Sequence, residues 1–214
     1  MEHSDKKPVR ILALHGYRQN NDALRRPLER LLKPRPNDPP VEMVYATAPV
    51  LLHQGSDLQG SDKQQELRAW WNRPTFDLCE PFAYDTFGEA CEAVVEAIGD
   101  RPIDALVGFS QGAVMGTLLL QKGLLPECKR VLLYGASGVQ DPILAATLPR
   151  MGSERVSALV MHGVKDTLCT MEDARRLGSF YDRVEYGTHR WGHLVPSDTA
   201  NRNRALDFVL SLQQ

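Results

Sequence analysis

One pentapeptide constrains the fold of this 214-residue chain more than any other segment. The pentapeptide Gly108-Phe109-Ser110-Gln111-Gly112 follows an apolar run, DALVGF, and leads into a run of small and apolar residues, AVMGTLLL. The first run predicts a buried strand and the second a buried helix. Glycines on both sides of Ser110 remove the Cβ atoms that would clash in a sharp turn. The segment therefore predicts a strand, a tight turn at Ser110 and a helix.

The same succession of apolar run and helical pattern recurs along the chain. Near-continuous apolar strands indicate burial on both faces, which is the condition of a parallel sheet. Alternation of strands with helices favours helices on both sides of that sheet. We therefore predict an α/β fold, a three-layer sandwich with a mainly parallel sheet of about six strands. The predicted strands are residues 9–14, 41–46, 104–109, 130–134, 156–162 and, more weakly, 183–186. The predicted helices are residues 21–32, 82–98, 111–121, 171–180 and 197–212.

Two stretches interrupt this alternation. Residues 51–81 form a long polar excursion that contains Trp70 and Trp71, and residues 139–150 form a second candidate lid after the fourth strand. Loops of this length in compact domains are usually functional or disordered, and adjacent tryptophans argue against simple disorder. The excursion is either a surface flap folded onto the body or a wall of a substrate pocket. The length of the chain fits one domain, residues 1–214.

Composition narrows the classes of partner. The net charge is −2, and the basic residues are not gathered into the stripe that a nucleic-acid-binding protein usually presents. We expect no nucleic-acid partner. No apolar run reaches the roughly 18 residues of a membrane span, and residues 1–10 lack the apolar centre of a secretory signal. The predicted location is cytoplasmic, with an organelle as the alternative.

The cysteines give no sign of a metal centre. Cys79, Cys91, Cys128 and Cys169 form no C-x-x-C pair, so zinc and thioredoxin-type sites have no support. We expect free thiols, most of them buried, and we expect neither a metal site nor a cofactor.

The pentapeptide fits G-x-S-x-G, the pattern of a nucleophile elbow. The turn would expose the Ser110 hydroxyl, and the following helix would point its free N–H groups at the site. The predicted strand–turn–helix context favours Ser110 as a nucleophile over a glycine-rich turn that only packs a helix on a strand.

A serine nucleophile of this kind needs an acid later in the chain. Asp166 follows the fifth predicted strand by a few residues, which places it at the carboxyl edge of the sheet, where sites form in open α/β folds. Its structural alternative is a turn or helix N-cap. Asp173 is a poorer candidate because it falls within the next predicted helix.

The base must follow the acid. His193 and His189 both lie between the last predicted strand and the last helix. Gly192 and Pro196 around His193 suggest a fixed turn, so we predict His193 as the base. Chain order alone does not separate the two histidines.

Hydrolysis through an acyl-enzyme also needs two N–H donors for the oxyanion. The predicted donors are the backbone N–H groups of Gln111, directly after the nucleophile, and of Tyr17, in the loop after the first strand. Gly16 lets that loop approach the substrate, although His15-Gly16 also fits an ordinary strand-ending turn. The predicted substrate-binding residues are His15, Trp70 and Trp71.

Six short motifs together resemble the family serine hydrolases (the FSH family). They are LHGYRQN at 14–20, ATAPV at 46–50, RAWW at 68–71, VGFSQGA at 107–113, HGVKD at 162–166 and GHLVP at 192–196. GFSQG is also shared with carboxylesterases and acyl-protein thioesterases. The resemblance implies an α/β-hydrolase fold with no large separate cap domain, and esterase or thioesterase activity on small-molecule acyl substrates. It implies the same catalytic residues, Ser110, Asp166 and His193, with Tyr17 and Gln111 as oxyanion donors.

Two alternatives remain open. The protein could be a thioesterase that releases an acyl or polyketide chain from an acyl-carrier protein or coenzyme A, for which a basic rim around the pocket would be a sign. It could also be a catalytically silent hydrolase fold that binds a ligand, because fold does not determine function. The sequence does not determine the oligomeric state.

Overall fold

The computed structural model describes residues 6–54, 66–74, 80–149, 151 and 156–211. In chain order the elements are β1 (Val9–Leu14), α1 (Asn21–Leu31), β2 (Val41–Tyr45), β3 (Val50–Gln54), β4 (Glu66–Ala69), α2 (Phe87–Ile98), β5 (Ala105–Phe109), α3 (Gln111–Gln121), β6 (Arg130–Tyr134), α4 (Pro142–Thr147), β7 (Ser157–Gly163), α5 (Met171–Gly178), β8 (Arg183–His189) and α6 (Thr199–Leu210).

Six of these strands form one sheet in the order β2-β1-β5-β6-β7-β8, with every neighbouring pair parallel. The predicted parallel sheet is therefore confirmed. The weakest predicted strand is longer than expected, because β8 pairs with β7 as far as His189. Most β8 side chains are exposed or half-buried, so its sequence lacks the apolar run that marks the inner strands.

Alternate strand residues supply two separate cores, one on each face of the sheet. Leu12 and Leu14 pack into the first core, with helices α2, α3 and α5. Ile11 and Ala13 pack into the second core, with α1 and α6. This alternation follows from the two-residue period of a strand, and it confirms the three-layer arrangement.

The structure departs from the predictions in the two interrupting stretches. Strand β3, which begins one residue before the 51–81 excursion, forms a small antiparallel sheet with β4, and the 139–150 segment contains α4. Residues 55–65, 75–79 and 150 lie outside the described residues. Helix α2 begins at Phe87 rather than at residue 82, because the N–H groups of Phe82 and Tyr84 donate to Gln140 and Asp141 instead.

The described cysteines and helices bear on the predictions of free thiols and of no membrane span. Cys91, Cys128 and Cys169 are free and buried, as predicted, and Cys79 lies outside the described residues. Within the described part of the chain, no helix combines the length and apolarity that crossing a membrane requires.

Candidate active site

Ser110 lies at the apex of the turn between β5 and α3. Its backbone has φ 53° and ψ −120°, a combination that non-glycine residues rarely adopt and that costs about 1–3 kcal/mol. A Cβ atom on Gly112 would overlap the Leu14 carbonyl group, and one on Gly108 would lie 2.6 Å from Ala113 Cα. The two glycines therefore allow the close packing of α3 against β1 and β5 that this turn needs.

The Ser110 hydroxyl does not serve the helix that it precedes. Serine is a common N-cap because its oxygen accepts a hydrogen bond from the first turn. Ser110 occupies the N-cap position of α3, and its side chain makes no capping bond. The residue lines a cavity of about 280 Å³ instead.

Asp166 and His193 form a close pair in two loops at the carboxyl edge of the sheet. His193 Nδ1 lies 2.8 Å from Asp166 Oδ2, and His193 lines the same cavity as Ser110. The other carboxylate oxygen accepts from the N–H groups of Leu168 and Cys169, each at 2.9 Å. Asp166 therefore also stabilises a turn, which is the structural role that the sequence offered as its alternative. Burial alone would raise the pKa of Asp166, but the hydrogen bonds from His193 and from the backbone hold it below its ordinary value.

His189 takes no part in this pair. It is buried at the end of β8, and its Nδ1 has no hydrogen-bond partner among the described residues. Burial, with His162 nearby, lowers the pKa of His189, so the neutral form is favoured. Of the two histidines that the sequence left in competition, the structure places His193 beside Asp166.

Backbone contacts hold the two loops against each other. Val164 N donates to His189 O at 2.9 Å, and Lys165 N donates to Trp191 O at 3.0 Å. A Cβ atom on Gly163 would overlap the Gly192 carbonyl oxygen and lie 2.6 Å from that of Trp191. Gly163 therefore permits the approach that brings Asp166 to His193.

Gly163→Ala is expected to lower kcat/KM about 100-fold, because an added methyl group would push the His193 loop away from the Asp166 loop. These two residues are the candidate base and acid, and misplacements of about 1 Å in catalytic groups have effects of this size. Steady-state kinetics with p-nitrophenyl esters measures the loss. Gly88→Ala is the matched control, since nothing lies within 4 Å of its added Cβ atom. Wild-type kinetics in Gly163→Ala would show that this close approach is dispensable.

The cavity brings together some of the predicted binding residues and leaves others out. Tyr17, Trp71 and Gln111 line it, but Trp70 and His15 do not. Trp70 and His15 are completely buried behind the wall, where Trp70 Nε1 donates to the His15 carbonyl oxygen at 2.8 Å. The prediction that these two side chains contact substrate therefore needs correction, because their polar groups bond to neighbouring backbone.

The His15 ring donates one hydrogen bond and accepts another. Nδ1 lies 2.9 Å from Gly16 O, and Nε2 accepts from Ala48 N at 3.3 Å. Only the neutral ring with its proton on Nδ1 satisfies both partners. Burial lowers the pKa of His15 from 6.5 to about 4.

His15 should make the protein less stable in acid. The unfolded chain binds a proton at this ring near pH 6.5, whereas the folded protein does so only near pH 4, so acidification between these values favours unfolding. The stability difference between the wild type and His15→Gln should shrink by about 3 kcal/mol from pH 7 to pH 4. Urea unfolding at both pH values measures this stability difference. A difference that does not change with pH would contradict the lowered pKa of His15 in the folded protein.

Sequence reasoning did not name several cavity residues individually, namely Arg73, Tyr84, Ser137, Gln140, Leu168 and Cys169. Arg73 and Gln140 lie in the two stretches that the sequence singled out as a possible pocket wall and a candidate lid. Tyr84 also carried a usable signal, as an aromatic residue close in sequence to the tryptophan pair: its ring stacks on Trp71 with centroids 3.9 Å apart.

Known proteins resemble this chain over nearly its whole length. Esterase OVCA2 of Danio rerio is 28% identical over an alignment that covers 96% of this chain and 98% of the relative. Esterase C25G4.2 of Caenorhabditis elegans is 26% identical, with 96% and 95% covered. Among solved structures, Arabidopsis thaliana SOBER1 aligns with a TM-score of 0.68 at 18% identity, over 97% of this chain and 100% of that chain.

The Bacillus cereus carboxylesterase aligns with a TM-score of 0.64 at 16% identity, over 99% of this chain and 92% of that chain, and it shares the α/β-hydrolase fold. A family model described as serine hydrolase (FSH1) matches residues 1–205. The chain therefore belongs to the FSH1 family of serine hydrolases.

Proposed function

We propose that this serine hydrolase cleaves carboxylic esters of acyl substrates through Ser110, His193 and Asp166. The observation that carries the proposal is the Asp166–His193 pair, 2.8 Å apart, whose histidine lines the same cavity as the strained elbow serine. Ser110, Asp166 and His193 follow one another along the chain in the order nucleophile, acid, base, which is the order that such elbows use.

In the proposed mechanism, Ser110 Oγ attacks the acyl carbonyl while His193 Nε2 accepts its proton. Asp166 holds the proton of His193 on Nδ1, which leaves Nε2 as the acceptor, and it stabilises the imidazolium that forms. His193 then protonates the leaving alcohol. Water attacks the resulting acyl-enzyme with His193 again as base, which releases the acid and restores the serine.

The oxyanion would be bound by backbone N–H groups at two places on the cavity wall. Gln111 is the first residue of α3, so its N–H has no acceptor within the helix. Tyr17 lines the cavity from the loop after β1. We propose these two N–H groups as donors.

A thioester substrate is a second candidate, and the charge of the cavity favours it. Arg18 and Arg73 line the cavity, and no carboxylate does so among the described residues. Arg18 is exposed, whereas Nε and Nη2 of Arg73 are buried and the Arg73 guanidinium lies 5.8 Å from the Tyr17 ring centroid. The exposed Arg18 suits an anionic leaving group such as the phosphopantetheine of coenzyme A or of an acyl-carrier protein.

A fluorophosphonate probe tests the nucleophile directly. We expect a single adduct on the tryptic peptide that ends at Lys122, which contains Ser110, and none on the peptide that ends at Arg150, which contains the other cavity serine, Ser137. Parallel assays with p-nitrophenyl esters and acyl-coenzyme A separate the two substrate classes. Absence of any adduct, with tight binding of acyl ligands, would instead support a non-catalytic receptor.

A further inference from the structure

The side chain of Gln111 joins the elbow to the tryptophan pair, forty residues earlier in the chain. Its Oε1 accepts from Trp70 N at 2.9 Å, and its Nε2 donates to Trp71 O at 2.9 Å. The amide is buried, with 6% of the residue exposed. One side chain thus satisfies a backbone donor and a backbone acceptor next to the nucleophile.

Further contacts link Trp71 to other residues that line the cavity. The Trp71 ring stacks on Tyr84, with an interplanar angle of 10°. Tyr84 N donates to Asp141 Oδ2, and its hydroxyl accepts from Gln140 N, both at 2.7 Å. Trp71, Tyr84 and Gln140 all line the cavity, so the wall they form is tied through Gln111 to the turn that holds Ser110.

The chemistry of this contact requires a neutral amide. A carboxylate offers acceptors only, an ammonium offers donors only, and an apolar side chain of similar length offers neither. Removal of the amide would leave two buried backbone groups, the N–H of Trp70 and the carbonyl of Trp71, without hydrogen-bond partners, which is unfavourable. Without the amide, we expect the Trp70–Trp71 backbone to move until these two groups find other hydrogen-bond partners.

We propose that the Gln111 side chain is a specificity-determining positioning residue: it fixes the distance between the Trp71 wall and Ser110, and so sets which acyl groups the cavity accepts. This role is separate from the one proposed for its backbone N–H, and it rests on the proposed esterase function. The amide contacts the wall and not the reacting atoms, so its loss should change selectivity among acyl groups more than it changes the reaction itself.

The first test compares Gln111→Met with Gln121→Met. Gln121 is the matched control, because it is a buried amide on the same helix that donates to Pro149 O at 3.0 Å, at the end away from the elbow. The readout is the ratio of kcat/KM between p-nitrophenyl esters of long and short acyl chains. We expect Gln111→Met to change this ratio about tenfold, the scale of discrimination in apolar pockets. Gln121→Met should keep the wild-type ratio.

The second test uses Gln111→Glu, whose introduced carboxyl group can reproduce the contact only when protonated. The protonated group accepts from Trp70 N and donates to Trp71 O, whereas the ionised group loses the donor and faces the carbonyl oxygen. Burial should raise the pKa of this group above its ordinary value of about 4.3. The acyl-chain ratio of Gln111→Glu should therefore approach the wild-type ratio as the pH falls, while the wild-type ratio stays constant.

Any pH dependence of the reaction that both substrates share cancels in the ratio. An unchanged ratio in Gln111→Met, with all substrates slowed alike, would overturn the proposal, and so would a pH-independent altered ratio in Gln111→Glu. Failure of the proposed function is distinguishable, because it would show as a wild-type protein with neither probe adduct nor turnover.

Discussion

Ser110→Ala is expected to lower kcat for p-nitrophenyl esters by about 10⁴–10⁶-fold, because the variant has no oxygen to form the acyl-enzyme. The residual rate would come from the oxyanion donors and from binding alone. Steady-state kinetics with esters of increasing chain length measures the loss, and the fluorophosphonate adduct should disappear with it.

The fold should tolerate this change. The Ser110 hydroxyl makes no capping bond to α3, so alanine removes no structural hydrogen bond there. Ser110→Gly is the companion variant, and it should be as inactive as Ser110→Ala. Its free energy of unfolding should exceed that of Ser110→Ala by about 1 kcal/mol, because glycine adopts φ 53° without strain. Thermal unfolding measures the stability of both. Turnover by Ser110→Ala close to the wild-type rate would exclude Ser110 as the nucleophile.

Asp166→Asn is expected to lower kcat about 10⁴-fold at neutral pH, through the tautomer of His193. An asparagine oxygen can still accept from the N–H groups of Leu168 and Cys169, which leaves the amide NH₂ facing His193 Nδ1. The ring must then accept at Nδ1 and carry its proton on Nε2, where it cannot take the proton of Ser110.

Asp198→Asn is the control for this variant, because Asp198 is also a carboxylate, at the N-cap of α6, and it bonds Asn201 rather than a catalytic candidate. Its kcat should stay near the wild-type value. Retained activity in Asp166→Asn at neutral pH would show that another group orients the base.

The lowered pKa of Asp166 also makes stability depend on pH. The stabilisation that Asp166 contributes should be complete above the pKa of an unfolded aspartate and should be lost as the pH falls through its lowered folded pKa.

Much of the fold was predictable because its signals are local. The apolar runs at β1, β5 and β6 are buried on both faces, and their bounds follow almost residue by residue from the sequence. The edge strand β8 was predicted too short because its pairing relies on backbone hydrogen bonds rather than on apolar side chains. The start of α2 was predicted too early because residues 82–86 bond to the segment before α4, a contact between distant parts of the chain.

The sequence by itself determined the fold class, the strand–turn–helix at Ser110 and the order of the candidate catalytic residues, since apolar periodicity and turn chemistry act between near neighbours. Only the tertiary structure decided that His193 rather than His189 meets Asp166, because parallel pairing of β7 and β8 brings their following loops together. It also decided that His15 and Trp70 lie behind the cavity wall and that the Gln111 amide bonds to Trp70 and Trp71. Those contacts join residues from 27 to 55 positions apart, and their geometry depends on the packing of whole elements, which no local pattern encodes.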